Sequence, residues 1–245
     1  MKRFAALFTA LDQTTRTTLK IGALAEYFRY APETDRLWTV ALFSGRRPRR
    51  AITGPRLRDW VAEAADIPLW LLEESYAVVG DPAESLALLL PPPTQDSDRS
   101  LTHWIDHIRT LADADEDMRK QAILAAWGSL PPEERLVFNK LLTGGFRLGV
   151  SQKLMTRALA QATGRDESEL AHRLMGDWTP DNTTWAQLIE EDDPAAAASR
   201  PYPFCLAHGV NGPADTLGDR ADWLAEWKWD GIRGQLIHRQ STLYL

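Results

Sequence analysis

From residue 2 to about residue 190, apolar side chains recur at three- and four-residue spacing, which confines this part of the chain to packed amphipathic helices. Phe4, Leu7, Phe8 and Leu11 form one such face. Leu19, Ala23, Leu24, Tyr27 and Phe28 form the next, with Thr15 or Thr17 as its cap. Pro32-Glu33-Thr34 opens a third helix, and Ser44-Gly45 stops it. Leu57, Trp60, Val61 and Ala64 share a face, and a helix from Pro68 carries Leu71, Leu72, Tyr76 and Val79. Gly80-Asp81-Pro82 breaks the pattern, and another helix runs over residues 83–90. Residues 91–99, opening on three prolines, read as an exposed linker with a helical half on either side. Trp104, Ile105, Ile108 and Leu111 begin the second half. Helices over residues 118–127, 131–142 and 166–175 and a short one at 185–189 continue it.

The pattern fails at Glu190-Glu191-Asp192-Asp193-Pro194, four alanines and Ser199-Arg200-Pro201-Tyr202-Pro203. That composition marks a boundary: a helical domain over 1–190, a linker over 191–202 and a second unit over 203–245. The second unit has strand and turn character. Residues 203–207 are expected to be extended and Asn211-Gly212-Pro213 to turn, with strands at 223–228 and 231–238 and a third from Leu243. The fold class predicted is mainly α: a multi-helical domain followed by the first strands of an α+β unit.

No apolar run reaches membrane-spanning length, and no signal-peptide core follows Met1-Lys2-Arg3-Phe4. Cys205 stands alone, which excludes an internal disulfide and a multi-cysteine metal site and makes the cytoplasm the expected compartment. His103 and His107 share a helix face without a third ligand and read as surface residues. The net charge of −6 argues against a uniformly basic coat, but the charge is unevenly placed. Arg46, Arg47, Arg49, Arg50, Arg56 and Arg58 crowd one segment beside Gly54-Pro55. Forked guanidinium groups beside a helix start suit phosphate oxygens, although charge runs are often solvated loops. A second stretch, Thr143-Gly144-Gly145-Phe146-Arg147-Leu148-Gly149-Val150-Ser151, ends one helix in glycines and caps the next. Free N–H groups at that helix start, with Arg147, Lys153 and Lys140 nearby, make an anion site. An αα-hairpin whose glycines only permit packing fits the pattern equally.

Near the chain's end stands Glu226-Trp227-Lys228-Trp229-Asp230-Gly231-Ile232-Arg233, or E-x-K-x-D-G-x-R. A lysine among aromatic neighbours can be made a nucleophile, because desolvation and nearby cations free its lone pair. Asp230-Gly231 permits a sharp turn that could carry Arg233 back toward a phosphate or ribose.

This stretch resembles motif I of the covalent nucleotidyltransferases: ATP-dependent DNA ligases, RNA ligases and capping enzymes. The glycine stretch is similar to the G-x-x-R-x-G-x-[SA] segment of the helical DNA-binding domain of ATP-dependent DNA ligases. The arginine cluster, Glu73-Glu74-Ser75-Tyr76 and Val79-Gly80-Asp81 resemble bacterial members of that group. The long helical domain disfavours the RNA ligases and capping enzymes. The resemblance implies that residues 203–245 begin a nucleotidyltransferase (adenylation) domain. It implies Lys228 as the adenylylated nucleophile, with Glu226 and Arg233 contacting ATP. It implies DNA contacts from Arg46, Arg47, Arg49, Arg50, Gly145, Arg147, Gly149, Ser151 and Lys153. The implied partners are ATP, Mg2+ and nicked duplex DNA, and the implied setting is DNA repair, replication or recombination by a monomer. The family's later motifs do not occur in the sequence, so the metal ligands are expected beyond residue 245 and the chain is expected to be the N-terminal part of a ligase. Such a part should bind DNA without completing ligation, and residues 203–245 should be marginally held. A non-catalytic helical DNA-binding module and a helical protein scaffold remain as alternatives.

Overall fold

A computed structural model describes residues 1–146, 148–191, 201–202, 212–224, 227, 229–231 and 234–245. The chain divides into two compact units, Met1–Glu191 and Asp192–Leu245. The described residues of the first unit form helices α1 (Lys2–Asp12), α2 (Thr17–Tyr30), α3 (Glu33–Phe43), α4 (Gly54–Ala64), α5 (Leu69–Val79) and α6 (Pro82–Leu89), followed by α7 (Leu101–Thr110), α8 (Glu116–Ser129), α9 (Pro132–Thr143), α10 (Gln152–Thr163) and α11 (Glu167–Met175). A short π-helical turn, Ala186–Glu190, closes the unit.

The helices bury the apolar faces their spacing defines. Phe4, Leu7, Phe8 and Leu11 of α1 are buried, as are Leu24 and Phe28 of α2 and Leu154, Met155, Ala158 and Leu159 of α10. The helices before and after residues 91–99 do not form two halves: α2 packs on α10, α1 and α6 on α9, and α3 on α7. The linker is itself tied to the second set of helices. The Thr94 and Gln95 N–H groups donate to the Gly128 carbonyl at 2.9 and 3.2 Å, and the Arg135 guanidinium donates to the Pro91 carbonyl at 2.7 Å. Asp35 of α3, almost fully buried, accepts from the backbone N–H groups of Leu101 and Thr102 and from the Thr102 hydroxyl at 2.6–3.1 Å. One carboxylate thereby caps α7 from across the core.

Helix starts follow the capping residues in several places. Asp81, Ser100, Asp115, Ser151 and Asp166 each accept a backbone N–H in the first turn of α6, α7, α8, α10 and α11. Neither Thr15 nor Thr17 caps α2; Arg16 occupies the cap without a side-chain bond.

Among its described residues the second unit keeps the end of the strand expected over 231–238 and the one expected from Leu243. Trp223, Leu224 and Trp227 are not in a strand, and the described residues 212–222 include two 3-10 turns, Ala214–Leu217 and Arg220–Asp222. The described strands are β1 (Ile237–Arg239) and β2 (Thr242–Tyr244), an antiparallel hairpin with Ile237 opposite Tyr244. Gln240 and Ser241 carry φ of 51° and 62°, which matches the backbone twist of a two-residue hairpin turn. Trp223, Leu224, Trp227 and Trp229 are exposed, so these four side chains have no apolar layer to pack against and their β-propensity goes unused. Residues 203–207 and Cys205 lie outside the described residues.

Candidate nucleic-acid interface

Two loops, about a hundred residues apart in sequence, meet on one side of the helical unit. The first leaves α3 at Ser44 and enters α4 at Gly54, anchored by buried Ala51 and Ile52. The second leaves α9 at Gly144 and enters α10 at Ser151, anchored by buried Phe146 and Leu148. The Phe146 ring packs 6.2 Å from Phe4 and 6.1 Å from Phe8. Between these apolar anchors, Arg47, Arg49, Arg50 and Gly149 are exposed.

Gly144 is the point of contact. It caps α9 in the left-handed region, φ 76°, which favours glycine, and its carbonyl accepts from the Arg47 guanidinium. A Cβ on Gly144 would lie 3.8 Å from Arg50 Nη2 and 3.9 Å from Arg47 Nη1, so both guanidinium groups gather over this glycine.

The arginines divide by what holds them. Arg46 is half-buried, stacks on the buried Trp178 ring at 4.4 Å and donates to the Gly176 carbonyl at 2.9 Å. Arg56 pairs with Glu116 at 3.3 Å. The Arg49 and Arg50 side chains are exposed and make no hydrogen bond or ion pair among the described residues, and the same holds for the Lys153 side chain. Lys140, expected near an anion site, is instead engaged with Asp81, whose carboxyl carries the cap of α6. Burial raises the Asp81 pKa, but the Lys140 ammonium and the Ala83 and Glu84 N–H groups prevail and lower it. Lys140 and Asp81 therefore cancel each other and leave the arginines to set the local potential.

Ser151 caps α10, its hydroxyl accepting from the Leu154 N–H at 3.2 Å. Gly149 is exposed with φ 62°, and Gly145 is half-buried beside the Lys140 side chain. Of the residues expected at an interface, Arg46, Arg47, Arg49, Arg50, Gly145, Gly149, Ser151 and Lys153 all belong to these two loops or to the start of α10. Arg147, Glu226, Lys228 and Arg233 lie outside the described residues.

Residues not singled out by sequence reasoning join them. A cavity of about 350 Å³ opens beside the first loop, lined by Trp38, Arg46, Arg47, Arg49, Arg109 and Asp181 among others. Arg109 is held there by a two-pronged bond to Asp181 at 2.8 and 2.9 Å. A second, of about 290 Å³, has an apolar floor of Leu57, Leu72 and Leu86 beneath Arg50, Arg58 and Tyr76. Lys20 of α2 reaches the second loop and donates to the Leu148 carbonyl. A lone lysine on a helical face carries no sequence signal that its ammonium ends beneath a glycine loop.

Among the described residues, no group of three or more histidine, cysteine or carboxylate side chains could hold a metal ion, and no helix is long and apolar enough to cross a membrane.

Comparison with known proteins points the same way. The profile of the family described as DNA ligase N terminus matches residues 1–177. A probable DNA ligase of Koribacter versatilis (strain Ellin345) is 24% identical over 250 residues, covering 96% of this chain and 42% of that protein. The chain thus spans less than half the length of that curated relative.

Proposed function

The chain belongs to the family of DNA ligase N-terminal regions, and from that premise we propose that its helical unit grips duplex DNA around a nick for an ATP-dependent DNA ligase. The observation that carries this is the meeting of the arginine loop and the glycine loop at Gly144. Arg47, Arg49, Arg50, Lys153, the exposed backbone at Gly149 and the Ser151 helix start supply a row of donors to strand phosphates, with half-buried Gly145 letting the loop approach them. Arg147 belongs to the same row by its place in the sequence. Arg46, stacked on Trp178, acts as the post that fixes the loop. Contacts of this kind read backbone rather than bases, as an enzyme acting at any nick requires.

In this reading residues 203–245 begin the nucleotidyl-transferring domain, and Lys228 is the nucleophile. Its amine attacks the α-phosphorus of ATP, forming a P–N bond as the P–O bond to pyrophosphate breaks. The AMP then passes to the 5′-phosphate at the nick, and the 3′-hydroxyl displaces it to form the phosphodiester. Glu226 accepts from the adenine amino group and Arg233 contacts the nucleotide phosphate. Mg2+ supplies charge neutralisation to such transfers, and no residue of this chain is assigned to it. The setting is cytoplasmic repair, replication or recombination, and the working form a monomer.

Fluorescence anisotropy with a nicked duplex tests the DNA-binding half: affinity should fall steeply as salt rises. Absence of salt-sensitive binding would sink it. Labelled ATP with Mg2+ tests the chemical half by an acid-labile adduct lost in Lys228→Ala. DNA binding with no adduct would favour the non-catalytic module.

A further inference from the structure

We infer that Lys20 is the internal cation of a phosphate seat closed by Gly149 and the start of α10, and that this seat takes one backbone phosphate of the bound DNA. The inference rests on the DNA-binding reading above and deepens it.

Three cationic residues among those described in the helical unit are almost fully buried: Lys20, Arg135 and Lys140. Lys140 is compensated by the Asp81 carboxylate. Arg135 has backbone carbonyls on both sides of its guanidinium, those of Trp127 and Pro91 at 2.7 Å and that of Leu90 at 3.5 Å. Lys20, at 8% exposure, has one carbonyl, that of Leu148, and no carboxylate among the described residues. An ammonium carries three donors, and a desolvated charge with a single neutral acceptor is costly to the fold. This lysine lacks a counter-charge that its two buried counterparts have no need of or already possess.

The missing partner has a place to enter. Gly149 is exposed, and a Cβ on it would stand 3.3 Å from Lys20 Nζ. Because glycine has no Cβ, that volume is open, and an oxygen arriving there from solvent comes within hydrogen-bond range of the ammonium. The start of α10 adjoins it. Ser151 satisfies the Leu154 N–H and leaves the N–H groups of Gln152 and Lys153 without a protein acceptor among the described residues. An exposed anion with several oxygens, such as a phosphodiester, can take both the ammonium and those donors at once; a planar carboxylate offers only two. A buried cation kept uncompensated until ligand arrives trades stability for binding.

The test compares wild type with Lys20→Met, a neutral side chain of similar length. Lys20→Met should melt no lower than wild type, bind nicked duplex about eightfold more weakly at about 0.1 M salt, and show a salt slope smaller in magnitude by about 0.9. Sodium sulfate, matched in ionic strength with chloride, should raise the melting midpoint of wild type by about 3 °C more than that of Lys20→Met. If Lys20→Met melts well below wild type or does not fold, the charge serves the fold and the inference is overturned. An unchanged salt slope, or equal stabilisation of both proteins by sulfate, overturns it as well. If sulfate discriminates but wild type fails to bind duplex DNA, the seat stands and the DNA-binding reading falls.

Discussion

Neutralising arginines one at a time should separate those that bind from those that build. Arg46 and Arg49 lie three residues apart in the same loop, yet only Arg46 has protein partners. Its guanidinium sits 4.4 Å from the Trp178 ring centroid and 2.9 Å from the Gly176 carbonyl oxygen. A partly desolvated cation–π contact contributes about 1 kcal/mol and a charged hydrogen bond to a carbonyl a further ~1.5 kcal/mol, of which some is recovered from solvent at this half-buried position. Arg46→Gln should therefore lower stability by about 2 kcal/mol, or roughly 4–8 °C in melting midpoint for a unit of this size. Arg49 and Arg50 make no hydrogen bond or ion pair with the described residues, so Arg49→Gln and Arg50→Gln should leave the midpoint within about 1 °C. Their cost falls on DNA instead. Each phosphate contact contributes about 0.9 to the slope of log affinity against log salt, hence about eightfold at 0.1 M salt, and the pair about sixtyfold with a slope change near 1.8. Differential scanning fluorimetry and anisotropy titrations at several salt concentrations read both quantities. The reasoning is refuted if Arg46→Gln leaves the midpoint untouched while flattening the salt slope, or if the double variant binds with an unchanged slope.

Other consequences follow from single side chains. Asp35→Ala removes the acceptor of three hydrogen bonds at the start of α7 and strands two backbone donors; it should cost about 3 kcal/mol in urea titrations, and a loss below about 1 kcal/mol would show that solvent replaces the carboxylate. Ser151→Ala should cost about 1 kcal/mol of stability through the lost cap, read from the urea midpoint at constant slope. Burial lowers the pKa of both His103 and His107, assisted at His103 by the neighbouring Arg99 guanidinium, which donates to its Nε2 at 2.6 Å. The unfolded chain then binds protons below about pH 6.5 that the folded chain does not, so stability should fall as pH drops through that range. A His103→Gln/His107→Gln chain should lose less between about pH 7 and pH 5.5; an equal loss would place the titration elsewhere. Hydrogen exchange in residues 234–245 should be fast, since a two-stranded hairpin alone is marginal, and strong protection there would contradict that expectation.

Helix positions were legible because they depend on nearest neighbours along the chain: apolar spacing, capping residues and proline or glycine stops act within one or two turns. The mainly α class, and the glycine stretch as a helix end followed by a capped helix start, emerge from those rules. What spacing cannot convey is which distant elements share a core. The three prolines at 91–93 read as a divider, yet Arg135 binds the Pro91 carbonyl and Asp35 caps α7 across the same gap. Lys140 and Arg46 looked like free cations beside their loops; each is occupied by a partner far away in sequence, Asp81 and Trp178. His103 and His107 read as a surface face, but their rings stack 6.4 Å apart at half-buried positions against Trp104. In the second unit, the tryptophan-rich run carried β-propensity without a paired layer, and propensity alone does not make a strand.

In the proposed reading, the division of labour among the cations lets a chain of net charge −6 present a face to phosphates. At physiological salt a charge is felt over about 8 Å, so acids elsewhere on the surface do little to cancel a local cluster. What matters is which acids stand within that distance, and the fold assigns them. Asp81 is taken up by Lys140, Glu116 by Arg56 and Asp181 by Arg109. These pairs offset three carboxylates with cations that lie behind or beside the loops, while the Arg49, Arg50 and Lys153 side chains make no ion pair among the described residues. Replacing Lys140 by Met should therefore weaken DNA binding, even though Lys140 touches no phosphate in this scheme, because it frees the Asp81 carboxylate beside the interface. A charge-removing pair, Lys140→Met with Asp81→Asn, should recover most of that binding. Anisotropy measurements decide it: a double variant no better than Lys140→Met would mean that Lys140 contacts DNA itself.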